Sequence, residues 1–299
     1  MHFDDLGVAQ FGPFPGAANV YSSHNVEQRI VRLGAATGGL PRRLFNAVEG
    51  RKVPDEEGRV WRSMDISLAV SPVDAEEMRA GGARRVELCP NGTDPVSSLP
   101  MQTLAERSPV RVLFVGSGAY SPYERGLAWF VREVVPRVRA RTPMRFEVVG
   151  QRPRRPITAE GVSYIGRVPT VAPSYESAHV VVVPVFEGSG TRLKLLEAVA
   201  YGRPVVSTRL GAEGLPVRAG EHYVEANDAE AFAAAVVDLA DRWRHPDFDG
   251  LLRMLSQVRE AIEPLFWPNI VARLVTLYRT ELDALTARSR PAADFRRVW

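Results

Sequence analysis

The sequence predicts an α/β fold built on parallel sheets, and three observations carry that expectation. Short β-branched runs alternate with helical patterns from one end of the chain to the other. Val180 to Val185 is apolar but for Pro184, as suits a central strand buried on both faces. Several runs close on glycine, at Gly116-Ser117-Gly118, at Gly150 and, after Glu187, at Gly188-Ser189-Gly190.

Taken in order, Ala18 to Ser22 reads as a strand ending at Ser23-His24-Asn25, followed by a helical pattern from Val26 to Leu33. A helix is expected from Pro41 to Met64, loosely broken near Pro54. Ile66 to Val70 is the next strand, Asp74 to Ala80 a short helix, and Val86 to Cys89 a strand closed by Pro90-Asn91-Gly92. A second set follows: strand Val110 to Val115, helix Arg125 to Arg139, and strands Phe146 to Val149 and Val162 to Ile165. Tyr175 to Ala178 reads as a helical turn, Val180 to Val185 as a strand, Thr191 to Ala200 as a helix and Pro204 to Ser207 as a strand. Asp228 to Trp243 has the period of an amphipathic helix, and Asp249 to Ala287 is helical with a break near Pro264 to Pro268.

A chain of 299 residues favours roughly two domains. Asp94 to Ser108, polar and without period, is the expected linker. The expected division is 1–100, 101–265 and a terminal helix over 266–299 that crosses back to the first part. No strand with a glycine loop opens the chain before Phe3, so the first set is expected to be an incomplete domain. Sheet edges left open in this way favour self-association, and a homo-oligomer is one expected state.

With 45% apolar and 24% charged residues, the composition is that of an ordinary globular protein. The single cysteine, Cys89, excludes an internal disulfide framework and reads as a small apolar side chain. The start, Met1 to Asp5, is acidic and lacks the pattern of a signal peptide, so a cytoplasmic location is expected. Net charge is +3, and the basic residues are arginines apart from Lys52 and Lys194. Clusters at Arg42-Arg43, Arg84-Arg85 and Arg152 to Arg155 read mainly as solvated faces, leaving a peripheral contact with the inner membrane face open and giving no nucleic-acid motif. His2, His179, His222 and His245 have no metal-ligand spacing, and Trp129, Phe130, Phe266 and Trp267 read as packing residues.

The chemistry concentrates in Val180 to Ala198. A buried strand runs into the Gly188-Ser189-Gly190 loop, and the loop opens a helix. Glycines let backbone approach a ligand, and free N–H groups at the helix start attract phosphate. Arg192 and Lys194 add positive charge, and Glu197, about two turns in, can accept hydrogen bonds from both hydroxyls of a ribose.

The segment Phe114 to Gly214 resembles the carboxyl-terminal domain of glycosyltransferase family 4. The resemblance rests on Phe114-Val115-Gly116-Ser117, Val148-Val149-Gly150, Tyr164-Ile165-Gly166, and Gly188 to Glu197 continuing through Tyr201-Gly202-Arg203-Pro204. It extends more thinly to His24-Asn25-Val26-Glu27, Ser71 to Asp74 and Pro90-Asn91-Gly92. It implies a GT-B architecture: two Rossmann-like domains facing a cleft, the first incomplete here. It also implies a retaining, metal-independent transferase that uses a nucleoside-diphosphate-sugar as co-substrate, needs no cofactor, and acts on a glycan, lipid-carrier or small-glycoside acceptor.

Residue by residue, the resemblance assigns Glu197 to the nucleotide ribose and Glu187 to the donor sugar, although their spacing is wider than usual in the family. Gly188, Ser189, Gly190 and Thr191 would hold the diphosphate, and Arg125 the leaving phosphate. Ser117, beside Gly116, replaces a frequent arginine, whose charge falls to Arg192 or Lys194. Gly166 and Arg167 flank the base, and His24 faces the donor sugar. The rival reading of His24 is a cap on the next helix. The rivals to the function are a catalytically incompetent or partner-dependent nucleotide-sugar-binding fragment and a sugar-nucleotide epimerase on the same fold.

Overall fold

The computed structural model describes residues 1–28, 40–96, 105, 108–118, 120–187, 193–245 and 249–289. Met1–Asn91 and the chain from Pro268 onward form one unit, and Gly92–Trp267 forms a second. The first unit holds a parallel sheet of β1 (His2–Phe3), β2 (Val20–Ser23), β3 (Ile66–Ala69) and β4 (Val86–Leu88), adjacent in that order. Between them lie α1 (Leu6–Ala9), α2 (Leu40–Ser63) and α3 (Pro72–Ala80). Strand β1 has only two residues, too few for any period to mark it in the sequence.

Helix α2 runs through Pro54 without the expected break. A proline inside a helix costs about 3 kcal/mol, and here the helix beyond it sets the fully buried Trp61 into a core with Tyr21, Met64 and Met78. Helix α3 begins two residues earlier than expected because Ser71 caps it, accepting the Asp74 N–H, and Pro72 fits its first turn. The helix expected over Val26 to Leu33 lies mostly outside the described residues.

In the second unit, β5 (Val110–Val115) is followed by α4 (Ser121–Trp129), a single π turn (Phe130–Val134) and α5 (Val135–Arg139). The wide turn falls just before Pro136, where the missing N–H removes one α-type bond. Then come β6 (Met144–Val149), β7 (Val162–Gly166), α6 (Ala172–Ser177), β8 (Val180–Val183), α7 (Leu193–Ala200), β9 (Val205–Ser207) and β10 (Val224–Glu225). The unit ends with α8 (Ala229–Arg244), capped by Asp228, and α9 (Asp249–Ile262). The sheet is parallel in the order β10-β9-β8-β5-β6-β7. Helix α10 (Trp267–Ser289) belongs from Pro268 to the first unit, where Leu274, Leu277 and Tyr278 pack on Val20, Ile66 and Leu68. Among the described residues no helix is long and apolar enough to cross a membrane.

All four β8 valines are buried, and they divide between two cores. Val180 and Val182 join Val112, Phe114, Phe130, Phe146, Phe232 and Trp243 on one face of the sheet. Val181 and Val183 join Leu113, Val115, Tyr175, Leu195, Leu196 and Ile262 on the other. The strand ends at Val183 rather than Val185, because Pro184 has no N–H for the ladder. Its carbonyl receives α4 at Gly126, where a Cβ would collide with the Pro184 oxygen.

The amino-terminal edge of this sheet is closed by His179. Its Nδ1 accepts the Arg111 N–H (3.0 Å), and its carbonyl accepts the Trp243 Nε1–H (2.7 Å). Burial first, then the charges of Arg111, Arg203 and Arg244, pull its pKa down to about 4. In the first unit the fully buried Glu57 is displaced oppositely, pushed up to about 7 chiefly by burial.

Two outcomes follow. Gly126→Ala drives a methyl group into the Pro184 carbonyl and is expected to destabilise by about 1–3 kcal/mol, seen as a lower urea midpoint; an unchanged midpoint would mean that α4 shifts freely. A histidine whose folded pKa is depressed confers full stability above its unfolded value near 6.5, and this contribution is lost as pH falls toward 4. The stability difference between wild type and His179→Gln should therefore be largest near pH 7 and shrink toward pH 4.5. Taking the difference removes the opposite slope from Glu57, and a pH-independent difference would refute the assignment.

Candidate functional site

The candidate site lies in the second unit, at the carboxyl ends of β5, β6, β7 and β8. Three glycine turns are knitted together there. Gly116 N–H donates to the Val149 carbonyl (2.8 Å), Gly118 N–H to the Gln151 carbonyl (2.7 Å), and Gly150 N–H to the Gly166 carbonyl (2.9 Å). Gly150 has φ +123° and lies against the Gly116 carbonyl, so a side chain there is excluded by both strain and space. The Gln151 side-chain oxygen accepts from the Ser117 hydroxyl (3.3 Å) and from the Arg167 guanidinium (3.1 Å). Gly116, Ser117, Gly166 and Arg167, singled out in the sequence, are thus joined through Gly150 and Gln151. Gln151 was missed, since a glutamine after a strand-end glycine carries no signature.

Strand β5 has β6 on one side and β8 on the other, so the chain leaves the sheet in opposite directions from these two neighbours. Ligands of open parallel sheets sit at such a point, beyond the carboxyl ends of the strands. Arg125 of α4 and Glu187, after β8, meet there as an ion pair. Two contacts hold the pair: Gly126 on the Pro184 backbone, and the Trp129 ring edge-on to Phe186 at 4.6 Å.

Gly188, Ser189, Gly190, Thr191 and Arg192 lie outside the described residues. On α7, which follows them, the Glu197 carboxylate accepts the Tyr175 hydroxyl (3.0 Å) and lies 3.7 Å from Lys194 Nζ. Burial, then the charge of Glu197, raises the Tyr175 hydroxyl pKa well above its usual value, so it stays a donor. Tyr201 stacks on Tyr175 at 4.7 Å and fixes the ring. Tyr175 was read only as part of a helical turn; its link to Glu197 spans 22 residues and is set by the packing of α6 against α7.

His24 belongs to the first unit, beyond β2, exposed and 3.4 Å from Asp4. The amides of Glu27 and Gln28 donate not to His24 but to the buried Glu57 carboxylate, at 2.7 and 3.0 Å. The described residues therefore give no support to His24 as the cap of the following helix. No group of three metal-ligating side chains occurs among the described residues.

Residues 109–242 match the family model for group 1 glycosyl transferases. The phosphatidyl-myo-inositol mannosyltransferase of Mycobacterium leprae is 28% identical over 238 residues, 74% of this chain. Its counterpart in Mycolicibacterium smegmatis is 27% identical over 219 residues, 68% of this chain. The chain spans 61% and 54% of the length of these two relatives. Among solved structures, sucrose-phosphate synthase of Thermosynechococcus elongatus superposes with a TM-score of 0.64 at 20% identity, covering 95% of this chain and 73% of that one. Anabaena Alr3699/HepE in complex with UDP and glucose gives 0.61 at 12% identity, covering 94% and 77%. The paired parallel sheets are those of the GT-B fold, and residues 109–242 are similar to the group 1 glycosyl transferases.

Proposed function

We propose that this protein transfers a sugar from a nucleoside-diphosphate-sugar to a sugar-containing acceptor, with retention of configuration and without a metal. The observation that carries the reading is Glu197, fixed by Tyr175 and Lys194 on the helix that leaves the glycine loop. A carboxylate held in this way accepts two hydroxyls at once, as ribose recognition requires. The base is assigned to the side of Gly166 and Arg167, where a Cβ on Gly166 would meet only Arg152 Nε, at 3.9 Å.

In this reading the sugar–phosphate bond lengthens toward an oxocarbenium-like state while fixed positive charge stabilises the departing diphosphate. Arg125 and Lys194 supply that charge. Glu187 holds Arg125 in the free protein and is assigned to the donor sugar once the diphosphate takes the guanidinium. The assignment of His24 to the donor sugar rests on the family resemblance. The names of the mycobacterial relatives favour a lipid-linked acceptor, which suits peripheral contact with the inner face of a membrane; self-association and a cytoplasmic location complete the proposal.

Calorimetric titration of UDP, GDP, ADP and TDP tests the donor site. One diphosphate is expected to bind, and Glu197→Ala to weaken it about tenfold or more, roughly 1.4 kcal/mol. Tyr175→Phe removes a single hydrogen bond and is expected to cost about 1 kcal/mol or less of that affinity. If the folded protein binds none of the four, the donor reading fails. Binding without nucleotide release in the presence of acceptors would favour a partner-dependent binding protein over a transferase.

A further inference from the structure

At the opposite, amino-terminal edge of the second unit's sheet, three arginines gather around His179. Arg111 is the second residue of β5, Arg203 precedes β9, and Arg244 ends α8. Arg203 is only 4% exposed, and one of its terminal nitrogens donates to the Ala178 carbonyl (3.2 Å). Its guanidinium lies over the Trp243 ring, 6.0 Å from the centroid. Arg244 spends its terminal nitrogens on Asp241, the Ser108 carbonyl and the Thr142 hydroxyl. The Nε atoms of all three arginines are buried without a hydrogen-bond partner.

Among the described residues no carboxylate forms an ion pair with Arg111 or Arg203. Glu176 attracts Arg203 only from beyond ion-pair distance. The register places Arg145 directly opposite Arg111, which adds like charge rather than removing it. Because the Arg111 amide occupies His179 Nδ1, the neutral ring carries its proton on Nε2 and offers one more donor. Every side chain in the cluster except Asp241, which is committed to Arg244, is a donor. Buried guanidinium charge is strongly disfavoured without a counter-charge, and planar forks bind tetrahedral oxyanions well.

We propose that Arg111, Arg203 and the Nε2–H of His179, with Arg244 behind them, form a site for a phosphate-class oxyanion at the end of the sheet opposite the glycine turns. The ligand is either inorganic phosphate or the phosphate group of a small ester. The site is independent of the donor reading, since none of its residues contributes to the glycine turns or to Glu197.

Thermal unfolding of the full chain in inorganic phosphate, against chloride at matched ionic strength, tests the proposal. Wild type is expected to show a saturable rise in Tm of about 2–4 °C. Arg203→Met and Arg111→Gln, each with wild-type circular dichroism, should lose the saturable part, while Lys194→Met keeps it. If Arg203→Met does not fold, the partly exposed Arg111→Gln carries the test. A larger response to glycerol 3-phosphate than to phosphate would identify an ester as the ligand, and the reverse the free ion. No saturable response in wild type, its persistence in both arginine variants, or its loss in Lys194→Met would each overturn the site, the last by placing the ion at the glycine loop.

Discussion

Strand β8 has no solvent face, and this constraint organises the second unit. Four successive valines must each be covered, two by the layer containing Phe130, Phe232 and Trp243 and two by the layer containing Tyr175, Leu195 and Leu196. Fully burying each valine contributes about 1.5–3 kcal/mol. That energy clamps helices of both layers against one strand, so the loop leaving the strand starts from a fixed point. Pro184 then ends the ladder, and the polar residues Glu187, Lys194 and Glu197 follow beyond it. Chemistry is displaced to the strand end because the strand itself admits none.

Charge is divided along the same axis. At the carboxyl ends of the strands, acids and bases are matched in pairs: Arg125 with Glu187, and Lys194 with Glu197. At the amino-terminal edge, His179 is held neutral by burial and by surrounding guanidinium groups. Titration of a buried imidazole acts on the stability of the scaffold, whereas the pairs at the other end keep enough exposure to exchange partners with a ligand.

The α/β class, the parallel sheet and nearly every strand of the second unit were legible in the sequence, because residues buried on two faces leave long β-branched runs. Two-residue strands such as β1 and β10 were invisible, since a period cannot be read from two positions. Helix α2 was expected to break at Pro54, yet burial of Trp61 beyond the proline keeps it whole. The expected linker and the central glycine loop fall largely outside the described residues, and the boundary between the two units comes at Asn91 and Gly92. In the site, glycines and charges stood out because they break local rules. Gln151 and Tyr175 did not, because each is an ordinary residue whose role depends on a partner brought close only by sheet register or helix packing.

The π turn at Phe130–Val134 sets the angular phase of the helical segment that contains it. An α-helix advances about 100° per residue, and one wide turn absorbs roughly one extra residue. Leu127 before the turn and Val135 and Val138 after it are all buried in the same core. Deleting one residue within this stretch would return it to a regular α spiral with both ends in phase, whereas tightening it to an α spiral with every residue kept would rotate one end by about that angle relative to the other. With α5 held in the core, Arg125 would swing away from Glu187; with Arg125 held, Val135 and Val138 would turn toward water. The wide turn is therefore what lets a segment of this length present Arg125 and the buried valines on their proper faces at once.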